Sequence, residues 1–83
     1  MFQPGLLKGK RILITGGGTG LGKEIATKYL QLGAEVWIAG RRGGTLDATA
    51  NELMAKHGGT VKTHAVDIRD AQAVNAMIER IWT

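Results

Sequence analysis

Three places in this sequence hold residues whose types and spacing could do chemistry. They are the run Thr15-Gly-Gly-Gly-Thr-Gly-Leu-Gly22, the pair Arg41 and Arg42, and the carboxylates Asp67 and Asp70. Five of the seven residues from Gly16 to Gly22 are glycine. Glycine lets a backbone come close to a ligand, and a helix starting there offers N–H groups and a partial positive charge. That combination suits a phosphate or pyrophosphate. Gly16, Gly18, Gly20, Leu21 and Gly22 supply the backbone for it, and the Thr19 hydroxyl is available to the phosphate that Arg41 would hold. The planar donor forks of Arg41 and Arg42 suit phosphate geometry as well.

Two phosphate-loop templates can be laid over the spacing. Gly17 to Gly22 with Lys23 satisfies Gly-x-x-x-x-Gly-Lys, but the next residue is Glu24 where a serine or threonine should hold magnesium. The strict Gly-x-Gly-x-x-Gly dinucleotide fingerprint also fails, because no three glycines fall at that spacing. What stands here is Thr15-Gly16-x-x-x-Gly20-x-Gly22. No metal site is expected: cysteine is absent, and neither His57 nor His64 has a second ligand at helical or turn spacing.

The elements that must position these residues alternate between strand and helix patterns. Arg11–Thr15 is a short apolar run of the kind that forms a buried parallel strand. A helical stripe follows, with Leu21, Ile25, Tyr29 and Leu32 on one face, Ala26 and Leu30 beside them, and Gly33 as the stop. Glu35–Ala39 is the second strand. Thr45–His57 is the second helix, with Leu46, Ala50, Leu53, Met54 and His57 on one face and Gly58-Gly59 ending it. Thr60–Val66 is the third strand. The last helix starts from Asp70 as its cap and carries Val74, Met77, Ile78, Ile81 and Trp82.

A β-α-β-α-β-α order implies parallel strands joined by crossovers, an α/β architecture. The expectation is a Rossmann-type doubly wound sheet of which residues 1–83 form the first half, with strand order 3-2-1. The next strand of such a sheet would return to the far side of strand 1. Without it the apolar edge Ile12–Ile14 lies open, which invites association and points to a homo-oligomer.

Composition narrows the partners. Eleven Lys and Arg against seven Asp and Glu give a net charge of +4, gathered at Lys8, Lys10, Arg11, Arg41 and Arg42. The few aromatics are not interleaved with those cations, so no stacking platform for nucleic acid is visible and an anionic small ligand fits better. No apolar run is long enough to cross a membrane, and Met1–Gly9 has no secretory pattern, so a cytoplasmic protein is expected.

The loop Thr15-Gly-x-x-x-Gly-x-Gly22 resembles the cofactor loop of the short-chain dehydrogenase/reductase family. The resemblance continues through Leu7-Lys-Gly-Lys10, Gly33-Ala-Glu-Val36 and Asp67-Ile-Arg-Asp70. It implies a nicotinamide dinucleotide as cofactor, with Asp67 accepting from the adenine amino group, Ile68 beside the ring, and Asp70 left to cap the helix. At the end of strand 2 an acid selects NAD, whereas an arginine accommodates the 2′-phosphate of NADP. Gly40 occupies the acidic position and Arg41 follows it, so NADP(H) is expected in preference to NAD(H).

The family's hydride transfer uses a Tyr-x-x-x-Lys pair with a serine and an asparagine. Tyr29, the only tyrosine, has Gly33 four residues on, so no catalytic residue is assigned and the chain alone is expected to be inactive. The complete enzyme would reduce a carbonyl or an enoyl or dienoyl group of a small-molecule substrate. The segments Gly16–Gly22, Ala39-Gly-Arg41 and Ala48-Thr-Ala50 are similar to the dienoyl-CoA reductase branch, with oxoacyl-carrier-protein reductases as a rival. A non-catalytic NADP(H)-binding or regulatory module is the alternative.

Overall fold

A computed structural model of the protein describes residues 8–16 and 20–82. Strands β1 (Arg11–Thr15), β2 (Glu35–Gly40) and β3 (Val61–Ala65) alternate with helices α1 (Gly20–Gln31), α2 (Gly43–His57) and α3 (Ala71–Trp82). Both ladders are parallel. Ile12 lies opposite Val36 and Ile14 opposite Ile38, while Val36 lies opposite Val61 and Ala39 opposite His64. The sheet runs β1-β2-β3, the reverse of the 3-2-1 direction written from the sequence. Written in either direction, β2 is the central strand, hydrogen-bonded to both β1 and β3.

Side chains alternate across a strand, and β2 uses that alternation to build two cores. Val36 and Ile38 join Ile14 and Val61 on one face, where Ala26 and Leu30 of α1 and Leu46, Ala50 and Leu53 of α2 cover them. Trp37 and Ala39 face the other way and pack with Val66 and with Met77 and Ile81 of α3. All four of these β2 residues are buried, which explains the unbroken apolar run. Helices therefore cover both faces of a parallel sheet. The Trp37 indole bonds to Glu35 Oε2 at 2.7 Å, and Lys62 and Arg80 lie 5.4 and 5.1 Å from its ring centre.

Two helical stripes differ from the pattern expected. On α1 the buried residues are Gly22, Ala26 and Leu30, whereas Leu21 and Ile25 are exposed. Small residues at four-residue spacing let a helix approach a sheet closely, so the contact is one residue further round than the larger apolar side chains suggest. On α3 only Met77 and Ile81 are fully inside, with Ile78 and Trp82 exposed. The apolar stripe of that helix is wider than the part of it that meets β2. His57, placed on the inner face of α2 from the sequence, is exposed at its last turn.

Helix α2 closes at Gly58, whose N–H donates to the Met54 carbonyl at 2.9 Å. Gly59 follows with φ at 79°, and a Cβ there would lie 2.7 Å from Leu30 Cδ1. The backbone angle strains any other residue at this turn, and a side chain there would have to push the end of Leu30 aside. No helix among the described residues is long and apolar enough to cross a membrane.

Candidate functional site

Parallel strands end side by side, so the residues just past their C-terminal ends gather at one rim. Here that rim surrounds an open cavity of about 480 Å³. Thr15 and Gly16 enter it from β1, Ala39, Gly40 and Arg41 from β2, and Val66 to Arg69 from the segment after β3. The rim is held by ladder-like bonds beyond the strands: Gly16 N–H to the Ala39 carbonyl at 2.9 Å and Val66 N–H to the Gly40 carbonyl at 2.8 Å. Gly16 has φ at 71°, where the chain leaves the sheet toward the glycine loop.

The structure brings Gly16, Arg41, Asp67 and Ile68 to this one cavity. Gly20, Leu21 and Gly22 form the first turn of α1 and do not line it. Leu21 is exposed and Gly22 is buried. Arg42 does not line it either; it precedes α2, its carbonyl accepts from Leu46 N–H, and its side chain makes no capping bond. Gly18 and Thr19 lie outside the described residues. Lys23, the lysine of the near-match to a nucleotide triphosphate loop, pairs with Glu52 of α2. Its ammonium is thus engaged between the two helices on the same face of the sheet.

The two carboxylates after β3 divide their work. Asp70 Oδ1 accepts from Ala73 N–H at 3.1 Å and caps α3, satisfying one of its unpaired amides. Asp67 lines the cavity instead. Its Oδ1 accepts from the backbone N–H of Arg69 at 3.0 Å and from Arg69 Nε at 3.1 Å, and its Oδ2 from Nη2 at 3.0 Å. The Arg69 side chain, with a smaller pull from Arg41, holds the Asp67 carboxyl below its ordinary pKa, and Asp67 in turn raises that of Arg69. Sequence reasoning missed Arg69. The only signal was its place two residues after Asp67, a spacing at which a loop can fold an arginine back onto a carboxylate.

Charge at the rim is therefore uneven. The end of β2 offers Gly40, with no carboxylate, followed by the exposed Arg41. The negative charge of Asp67 is already matched by Arg69. Ile68, 62% exposed, adds an apolar surface suited to one side of a planar ring. Among the described residues no three His, Cys, Asp or Glu side chains gather as metal ligands.

Comparison with known proteins agrees with this architecture. The family model for short chain dehydrogenase matches residues 10–83. The chain is 46% identical over 81 residues to "Probable 2,4-dienoyl-CoA reductase 3" of Caenorhabditis elegans, covering 98% of this chain and 26% of that protein. Among solved structures, a citronellol catabolism dehydrogenase of Pseudomonas aeruginosa superposes with a TM-score of 0.91 at 42% identity, over 98% of this chain and 34% of the other. L-sorbose reductase of Gluconobacter frateurii, solved with NADPH and L-sorbose, gives a TM-score of 0.85 at 30% identity, over 95% of this chain and 30% of that one. The chain thus spans about a quarter to a third of the length of these proteins.

Proposed function

The chain belongs to the short-chain dehydrogenase/reductase family, and from that premise we propose that it is the NADP(H)-binding portion of an oxidoreductase. Residues 1–83 are read as the N-terminal half of a Rossmann NADP(H)-binding domain. The observation that carries the cofactor choice is the pairing of Gly40 with Arg41 at the end of β2, on the rim of the cavity. No carboxylate stands at Gly40 to repel a phosphate, and the donor fork of Arg41 suits one.

The residues present fit the adenosine end of such a cofactor. Gly16 has a positive φ, and among the described residues nothing beyond its chain neighbours lies within 4 Å of where a Cβ would stand. Asp67 receives the base amino group, Ile68 flanks the ring, and Arg41 holds the 2′-phosphate, with Arg42 adding positive charge nearby. The loop from Gly16 to Gly22, Gly18 included, binds the pyrophosphate beside the positive end of α1, and the Thr19 hydroxyl adds a contact to the 2′-phosphate. When bound, the nicotinamide supplies hydride; the residues of this chain anchor and orient the other end of the molecule.

The whole protein is proposed to reduce a carbonyl or an enoyl or dienoyl group. Similarity to proteins named as a dienoyl-CoA reductase and as a sorbose reductase supports that range. The 83 residues alone are proposed to be without turnover, because the only tyrosine, Tyr29, has no lysine four residues on. The same absence favours the second reading, an NADP(H)-binding or regulatory module without catalysis. Titration calorimetry with NADPH and NADH tests the shared core of both. Tighter binding of NADPH supports it, and equal or tighter binding of NADH removes the role given to Arg41. Hydride transfer to a carbonyl or enoyl acceptor by this chain would overturn its proposed inactivity.

A further inference from the structure

Arg69 is bound to Asp67 through three donors, and the count of acceptor positions gives that contact a meaning. A carboxylate offers about four lone-pair positions. Oδ1 has taken two donors, the Arg69 N–H and Nε, and Oδ2 has taken one, Nη2. One position remains, on Oδ2. The pair is built within three residues of one loop, and the Asp70 N–H fixes that loop by donating to the Asp67 carbonyl at 2.9 Å. The Arg69 side chain is 76% exposed and that of Asp67 38%, so the arginine stands outside the carboxylate it holds. An exposed ion pair of this kind adds little to stability. Its effect falls on the direction in which Asp67 can still accept.

We propose that Arg69 is a positioning residue for base recognition: it turns the Asp67 carboxylate so that its last acceptor position takes an exocyclic amino group of the bound base. The proposal rests on the reading of this cavity as the seat of a dinucleotide's adenine. An amino group donates to that position, whereas a keto oxygen offers only another acceptor and is rejected. Selection between amino and keto bases then depends on the fork of Arg69, not on its charge alone. The selection for the 2′-phosphate stays with Arg41, on a different strand end.

The test compares NADPH with the reduced nicotinamide hypoxanthine dinucleotide phosphate, in which a keto group replaces the adenine amino group. Binding to the protein is measured by calorimetry. The unchanged protein should prefer adenine by about fivefold or more, the worth of one hydrogen bond. Arg69→Gln and Arg69→Lys should both bring that ratio toward parity, since lysine keeps the charge but not the fork. Both should leave the NADPH-to-NADH ratio and the thermal midpoint unchanged. A preference that survives Arg69→Gln overturns the proposal, and so does one restored by Arg69→Lys, which would assign the effect to charge. If the unchanged protein binds both bases alike, Asp67 does not read the base and the proposal falls while the cofactor reading stands. If it binds neither dinucleotide, the reading of the cavity falls first.

Discussion

The N–H of Gly16 donates to the carbonyl of Ala39 at 2.9 Å, so the first glycine of the loop is also the last rung between β1 and β2. It makes that bond with φ at 71°, and among the described residues nothing beyond its own chain neighbours lies within 4 Å of a would-be Cβ. A side chain there would meet none of those described residues but would strain the backbone. Gly16→Ala should therefore lower stability by roughly 1–2 kcal/mol through conformation alone. Gly44→Ala in α2, equally open but without a positive φ, should be neutral or stabilising by about 0.5 kcal/mol. Urea unfolding of both variants checks the contrast; equal losses would mean that φ at Gly16 is not the cause.

Arg41 and Gly40 make a paired prediction about the cofactor. Arg41→Asp should weaken NADPH binding by roughly tenfold to a hundredfold, as expected for a charge-assisted bond, and spare NADH. Gly40→Asp should turn the preference toward NADH by placing an acid where the ribose hydroxyls would lie. The fold can accept it: Gly40 has no positive φ, and an added Cβ would sit 3.6 Å from Leu46 Cδ2, an ordinary contact. Equal loss of both cofactors on Arg41→Asp would make Arg41 a support of the loop and not a reader of phosphate.

The element order was legible because each segment carried its own period and its own stop. Arg11–Thr15 is a strand with the bounds its apolar run suggests, and Gly33 and Gly58 follow helices as expected. Period alone does not say which part of a wide stripe meets the sheet. Leu21 and Ile25 lay on the apolar stripe read along α1, yet the sheet takes Gly22, Ala26 and Leu30. The site was legible where a residue's position relative to a strand end decided its place, as for Gly16, Arg41 and Asp67. Arg69 was not, because its part comes from folding back on Asp67, a loop geometry that no periodic pattern encodes.

Glu52 accepts from Lys23 of α1 and from Lys56 one turn along α2. These bonds, Lys23 first, hold its carboxyl below its ordinary value of 4.5. A carboxylate with a depressed folded pKa adds stability that is present above its unfolded value and lost as pH falls through the folded one. The denaturation midpoint should thus fall on acidification below about 4.5, and Glu52→Gln should flatten that limb of the profile while lowering the neutral plateau. An unchanged acid limb in Glu52→Gln would place the acid sensitivity elsewhere.

Two isoleucines three residues apart on α3 test which part of its stripe belongs to the core. Ile81 is 0% exposed and packs with Trp37, Ala39, Val66 and Met77, whereas Ile78 is 43% exposed. Truncating a fully buried isoleucine removes transfer energy and leaves a cavity, so Ile81→Ala should cost about 2–5 kcal/mol. Ile78→Ala, at a site already open to water, should stay within roughly 0.5 kcal/mol of the parent. The same chemical change thus carries opposite expectations at two positions on one helix. A large loss at Ile78 in urea unfolding would show that something covers this flank of α3 in solution. Dependence of that loss on protein concentration would then identify the cover as a second copy of the chain.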